Sequence, residues 1–164
     1  MNPRIVTLLL ILLPFFGHAA NEADKGRKYF VVFLATSQGR VGHAFVSFGY
    51  EDDSRSQSVT DGTWGMYPEK DGDKKSVIGS VPGKIKDDYL VRSEVKMIEE
   101  VSKSQYESAL RVLKKWRDKD YELLESDCVT FVMEVAQAIG LNIPSRSGLD
   151  NFPAKYVGKL KQAN

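Results

Sequence analysis

The chain contains a single cysteine, Cys128, so no internal disulfide can stabilise its fold. A structural metal is equally unexpected, because one cysteine and one histidine outside the N-terminal region fall short of the three or four N or S ligands of a zinc site. Stability must then come from burying apolar side chains. We therefore expect a fold built on one hydrophobic core, with no metal and no cofactor.

The first 20 residues have the pattern of a cleavable export signal. Arg4 supplies a positive start, residues 5–16 form an apolar run, and small residues up to Ala19 and Ala20 suit a signal peptidase. The run of 12 residues is shorter than the roughly 20 needed to span a membrane. We expect cleavage after Ala19 or Ala20, a periplasmic or secreted mature chain, and no stable insertion in a membrane after cleavage.

The mature part, residues 21–164, has the size and charge of one neutral domain. Removal of 20 of the 164 residues leaves 144, which suits a single core. Arg4 is the only charged residue removed, so 22 Lys and Arg face 22 Asp and Glu. A balance of zero gives no electrostatic basis for binding nucleic acid, and we expect no such partner.

The first half of the mature chain has the composition of β-strands. Four apolar, β-branched runs predict strands, and the first two are spaced as a hairpin. These runs are residues 29–35, 41–50, 56–66 and 90–101, with a further turn predicted over 79–84. In the second strand, a period of two places His43, Phe45 and Ser47 on one face and Ala44 and Val46 on the other.

The second half of the mature chain predicts helices with clear starts. Ser102 and Gln105 form a capping box, and Asp127 can cap a second helix that begins at Cys128. Pro153 falls in the first turn of a short final helix. The predicted fold class is therefore α+β, with an antiparallel sheet packed against helices.

The position of Cys128 in the first turn of its helix suits a reactive thiol. Free backbone N–H groups and the positive end of the helix dipole favour a thiolate there. His43, the only histidine outside the leader, could exchange the thiol proton. However, Cys128 shares one helical face with Val132, Val135 and Ile139, as a buried and inert cysteine would. These residues alone leave both interpretations open.

Two short segments resemble a known enzyme superfamily. Residues 127–132 (DCVTFV) resemble the nucleophile segment of NlpC/P60-type papain-like hydrolases, in which a D/N-C-x-x-F-V pattern opens a helix. Residues 42–46 (GHAFV) come first, and Cys128 follows His43 by 85 positions. This order resembles the circularly permuted branch, which includes lecithin:retinol acyltransferase-like enzymes and related bacterial hydrolases.

The resemblance implies a permuted papain-like arrangement, with Cys128 as nucleophile and His43 as general base and later acid. In such families a third polar residue on the next strand orients the imidazole. Some permuted members have a second histidine there, which this chain lacks. Folding the hairpin about residues 52–54 brings Asp61 or Thr63 near His43. Asp61 is the expected third residue, because a carboxylate stabilises an imidazolium.

Three aromatic residues are candidates for the substrate cleft. Trp64 and Tyr67 lie at the end of the third predicted strand, where they could hold a ligand chain. Tyr121 lies seven positions before the cysteine and could donate a hydrogen bond to an oxyanion. Core packing is the alternative role for all three.

Export and the resemblance together indicate a thiol hydrolase (a thiol protease or amidase) that cleaves an amide bond in peptidoglycan peptides of the cell wall. A lipid acyltransferase or thioesterase with the same dyad, acting on a lipid-acyl substrate, is the nearest alternative. The missing second histidine keeps a third possibility open, which is a non-catalytic periplasmic binding or inhibitor module on the same scaffold.

Overall fold

The computed structural model describes residues 26–52, 56–70, 79–148 and 152–164. The export signal predicted over residues 1–20 lies outside these ranges. Within them, none of the helices combines the length and apolarity that crossing a membrane requires. The elements are the strands β1 (Arg27–Thr36), β2 (His43–Asp52), β3 (Gln57–Pro68), β4 (Gly83–Asp87) and β5 (Val95–Val101), and the helices α1 (Lys103–Trp116), α2 (Cys128–Ala138) and α3 (Pro153–Ala163).

The five strands form one sheet in the order β4-β3-β2-β1-β5, and all neighbours are antiparallel. The predicted β1–β2 hairpin lies at its centre, where Ala35 pairs with Ala44 and Phe33 pairs with Val46. All four side chains are fully buried in the main core. The alternation of apolar residues therefore marks the sheet face on which the core forms.

The three helices cover this sheet. Helix α2 packs on β2 and on α1, while α3 packs on β1 and β5. The largest core side chains come from both layers, and they include Phe33, Phe48, Trp116, Phe131 and Tyr156. The predicted α+β class, an antiparallel sheet packed against helices, is confirmed.

The helix starts follow the local capping signals in the sequence. The Gln105 backbone N–H donates to the Ser102 hydroxyl, and the Ser102 N–H donates to the Gln105 side chain, which completes the predicted capping box. Asp127 caps α2, and Pro153 is the first residue of α3. The starts of α1 and α2 are predictable because a side-chain cap acts within one turn of chain, and that of α3 because proline favours the first turn of a helix.

The β2–β3 hairpin has a longer connection than the sequence predicts. Asp52 pairs with Gln57, and a register shift between Phe48 and Gly49 adds one further residue to β3. Phe45 consequently pairs with Gly65. A β-bulge of this kind changes which residues face each other further along the ladder. His43, at the start of β2, therefore lies near Tyr67 rather than near residues 61–63.

The region between β3 and α1 differs most from expectation. The predicted strand over residues 90–101 begins only at Val95, because its partner β1 pairs no further than Ala35. The predicted turn over residues 79–84 runs into β4, which was not predicted as a strand. Strand β4 is a short edge strand with Lys84 and Lys86, and such charges are common on exposed edges.

Candidate active site

The structure brings Cys128 and His43 together from opposite halves of the chain. Cys128 is the first residue of α2 and is 7% exposed. His43 is the first residue of β2, and its side chain is 12% exposed. The thiol lies close enough to the imidazole to contribute to its raised pKa. The packing of α2 on β2 thus joins the only thiol of the chain to the only histidine outside the predicted leader.

The second partner of His43 is Asp88, the residue that follows β4. The His43 Nε2 and Asp88 Oδ2 atoms are 2.9 Å apart, and Asp88 is only 3% exposed. The Tyr67 hydroxyl donates to the other carboxylate oxygen at 2.7 Å. The Asp88 backbone N–H donates to the Thr63 carbonyl at 2.8 Å. Because Asp88 occupies Nε2, the remaining ring nitrogen, Nδ1, is the one available to the thiol.

The residue expected beside His43 from the sequence, Asp61, lies elsewhere. Its carboxylate accepts a hydrogen bond from the Tyr106 hydroxyl of α1. The longer hairpin connection and the bulge explain the difference, since they move Asp61 several residues away from His43 along β3. Asp88 takes the expected place. The only hint of it in the sequence is the charged alternation of residues 84–86, which is typical of an edge strand.

The surroundings of His43 hold a proton on its ring. Burial alone lowers the pKa of His43, but the hydrogen bond to Asp88, the nearby Cys128 side chain and the negative charges at these positions outweigh burial and raise it from 6.5 to about 9. His43 is therefore protonated at pH 7 and loses this proton only as the pH rises through about 9. The arrangement suits an imidazolium held between a carboxylate and a sulfur.

A buried ion pair fixes the start of α2 and with it the position of the thiol. Arg146 donates to Asp127 through two nitrogens, at 2.6 and 2.9 Å, and to the Thr130 hydroxyl at 3.0 Å. Burial raises the pKa of Asp127, but the hydrogen bonds from Arg146 and from the Thr130 N–H outweigh it and lower that pKa. The cap therefore stays ionised. The sequence indicates Asp127 as the cap but carries no local signal for its ion pair with Arg146.

The three aromatic candidates have different surroundings. The Tyr67 ring lies against His43, with 4.2 Å between the ring centroids. Tyr121 lies beside the thiol, where burial and the negative charges at Cys128 and Asp127 raise the pKa of its hydroxyl, so that it remains a donor. Trp64 packs against the core. Tyr67 and Tyr121 thus belong to the site, whereas Trp64 has the role of a core residue.

Gly65 provides the space in which His43 and Asp88 meet. A Cβ atom at this position would overlap both the Asp88 Oδ2 and the His43 Nε2 atoms. We therefore expect Gly65→Ala to separate the pair and to lower the rate at which iodoacetamide alkylates Cys128 at pH 6 by at least about tenfold. Mass spectrometry of the intact protein measures this rate.

Gly79→Ala is the matched control for this substitution. Among the residues that the structure describes, a Cβ atom at Gly79 meets none within 4 Å beyond its chain neighbours, and the variant should alkylate at the parent rate. Thermal unfolding of both variants shows whether the fold has survived. A folded Gly65→Ala protein that reacts as fast as the parent would contradict the role assigned to this glycine.

Within the described ranges, no group of three or more His, Cys, Asp or Glu side chains is arranged to hold a metal ion. The side chains of the site supply a thiol, an imidazole, a carboxylate and a tyrosine hydroxyl. Comparison of the chain with protein-family models, with curated proteins and with solved structures gives no match.

Proposed function

We propose that the protein is a cysteine hydrolase that works through an acyl-enzyme, with Cys128 as nucleophile, His43 as general base and acid, and Asp88 as the residue that orients His43. One observation carries this proposal, namely the His43 ring held between the Cys128 thiol and the buried Asp88 carboxylate. A nucleophile, a base within hydrogen-bond reach and a third group that orients the base form the pattern of nucleophilic catalysis. A histidine that only packs in the core does not need both a thiol and a carboxylate as neighbours.

In the first half of the reaction, the Cys128 sulfur attacks the carbonyl carbon of an amide or ester as a thiolate, while its proton is held on His43. Negative charge develops on the carbonyl oxygen, which the Cys128 backbone N–H and the Tyr121 hydroxyl could stabilise as donors. His43 then gives its proton to the leaving amine or alcohol. The C–N or C–O bond breaks, and the acyl group remains on the sulfur as a thioester.

In the second half, His43 takes a proton from a water molecule, and the resulting hydroxide attacks the thioester carbonyl. The C–S bond breaks, the substrate acyl group leaves as a carboxylic acid, and the Cys128 thiolate is regenerated beside the protonated His43. An alcohol or amine in place of water would make the same site an acyltransferase. Throughout, the Asp88 side chain holds the imidazole in position.

The export signal predicted from the sequence supports a substrate outside the cytoplasm. Peptidoglycan peptides and lipid-acyl compounds are both candidates, and incubation of the parent and Cys128→Ala with purified muropeptides and with phospholipid vesicles separates them. Products that only the parent forms identify the substrate. A lack of product from either substrate, together with an unreactive thiol, would favour the non-catalytic module.

The pH dependence of Cys128 alkylation tests the proposed pair. We expect the parent to react rapidly with iodoacetamide at pH 6, because a protonated imidazole beside a thiol favours the thiolate. An ordinary cysteine is less than about 1% thiolate at pH 6. His43→Gln should therefore react at least about tenfold more slowly at this pH.

The pH profiles of the two proteins give a second readout. The rate of the parent should change little between pH 6 and pH 8, whereas that of His43→Gln should rise steeply, as for an unassisted thiol. Cys128→Ala shows how much reagent is lost to other side chains. Identical profiles for the parent and His43→Gln would overturn the proposed catalytic pair.

A further inference from the structure

An apolar cavity opens directly beside the thiol. Its volume is about 220 Å³, and it is lined by Val41, Tyr121, Leu123, Leu124, Asp127, Cys128, Val129, Phe152 and Pro153. Both oxygens of the one charged residue, Asp127, already accept hydrogen bonds from Arg146. Tyr121 and Cys128 supply the remaining polar side-chain atoms. The cavity can therefore exclude water around a hydrocarbon group, but it has no free charge for an ionic one.

Large exposed apolar side chains gather around the same place. Val41, Leu124 and Phe152 line the cavity, yet each remains 48–50% exposed, so they form its rim. Residues 89–91, which directly follow Asp88 in the chain, are also exposed and apolar, but they do not line the cavity. Among the residues that the structure describes, Ile98 is the remaining large apolar side chain with such exposure. An apolar patch gathered around a reactive group, rather than scattered over the surface, is typical of a binding site.

The backbone at Leu124 holds this side chain on the rim under strain. Its φ angle is +74°, in the left-handed region that residues other than glycine and asparagine seldom adopt. The Leu124 N–H donates to Asp127, and the Leu124 carbonyl accepts from Arg146. The ion pair that caps α2 thus also fixes an exposed leucine beside the thiol. Strain of this kind is common at ligand sites.

We propose that this cavity is the acyl-side subsite and that it holds an aliphatic acyl chain whose carbonyl carbon Cys128 attacks. The proposal rests on the proposed function, because it takes the thiol as the nucleophile. Burial of one methylene group favours binding by about fourfold. A polar peptide would gain little from the same walls. The site therefore selects substrates that carry a hydrocarbon chain on the acyl side of the scissile bond.

Alkylating reagents that differ only in chain length test the subsite. We expect N-hexyl iodoacetamide to alkylate Cys128 at least about tenfold faster than iodoacetamide at pH 6, since part of the hexyl chain enters the cavity. In Leu124→Asn, the ratio of the rate with N-hexyl iodoacetamide to the rate with iodoacetamide should be close to one. Asparagine tolerates the left-handed backbone and adds no charge, so the variant changes only the rim.

Ile98→Asn is the matched control. Ile98 is exposed to a similar extent, 54% against 50% for Leu124, but it lies on β5 and does not line the cavity. Its rate ratio should equal that of the parent. A parent ratio near one, or a ratio that Leu124→Asn leaves unchanged, would overturn the acyl subsite.

The two proposals can fail independently. The chain-length ratio compares two reagents on the same thiol, so it does not depend on how strongly His43 activates that thiol. A high ratio with a slow, His43-independent reaction would keep the apolar subsite and overturn the catalytic pair. A fast, His43-dependent reaction with a ratio near one would keep the hydrolase and overturn the aliphatic substrate.

Discussion

Asp88→Asn is expected to lower kcat/KM for Cys128-dependent ester hydrolysis by about 10²–10⁴-fold. The carboxylate accepts from His43 and stabilises the imidazolium, whereas a neutral amide removes the charge and can turn its NH₂ group toward the ring. The result should be an imidazole that is poorly oriented and less often protonated. Hydrolysis of p-nitrophenyl butyrate, corrected with Cys128→Ala, measures the loss.

Asp61→Asn separates the structural assignment of the third residue from the sequence-based expectation. Asp61 contacts Tyr106 on α1 rather than His43, so its replacement should change kcat/KM by less than about threefold in folded protein. Thermal unfolding corrects for any loss of stability. If Asp61→Asn were the more damaging of the two substitutions, Asp88 could not be the residue that orients His43.

Arg146→Met has the largest effect that we expect on stability, a loss of about 3–5 kcal/mol in the free energy of unfolding. The substitution leaves the Asp127 carboxylate, whose side chain is 2% exposed, without its paired cation. A buried, uncompensated charge is far more costly than a missing surface contact. Urea unfolding followed by circular dichroism measures the change.

Two further variants show whether the buried charge causes this loss. Asp127→Ser combined with Arg146→Met removes both charges but keeps a side chain that can cap α2, so part of the stability should return. Lys103→Met breaks the exposed pair with Glu107, which should cost less than about 1 kcal/mol. A double variant no more stable than Arg146→Met would contradict this explanation.

Predictions from the sequence succeeded where the determining interactions are local. The capping box at Ser102, the Asp127 cap and the alternation in β1 and β2 each depend on a few adjacent residues. The sequence could therefore indicate that Cys128 begins a helix and that His43 begins a strand. That Cys128 and His43 lie close together was indicated only by the resemblance and by the expectation that the helix of Cys128 packs over the sheet.

The third residue of the site could not be predicted because it depends on non-local geometry. One extra residue in the ladder between Phe48 and Gly49, together with the longer hairpin connection, moves Asp61 away from His43. Asp88 reaches the imidazole only because β4 adds to the edge of the sheet beside β3. Neither the bulge nor the pairing of a five-residue strand has a strong local signal.

The position of β4 at the edge of the sheet divides the protein into parts of unequal local stability. β4 has only β3 as a sheet neighbour, and short edge strands open at a lower free energy than central elements. Opening of β4 would withdraw Asp88 from His43 while β1, β2 and α2 stay folded. The contact between Asp88 and His43 is therefore expected to be lost more easily than the fold of the domain that carries it.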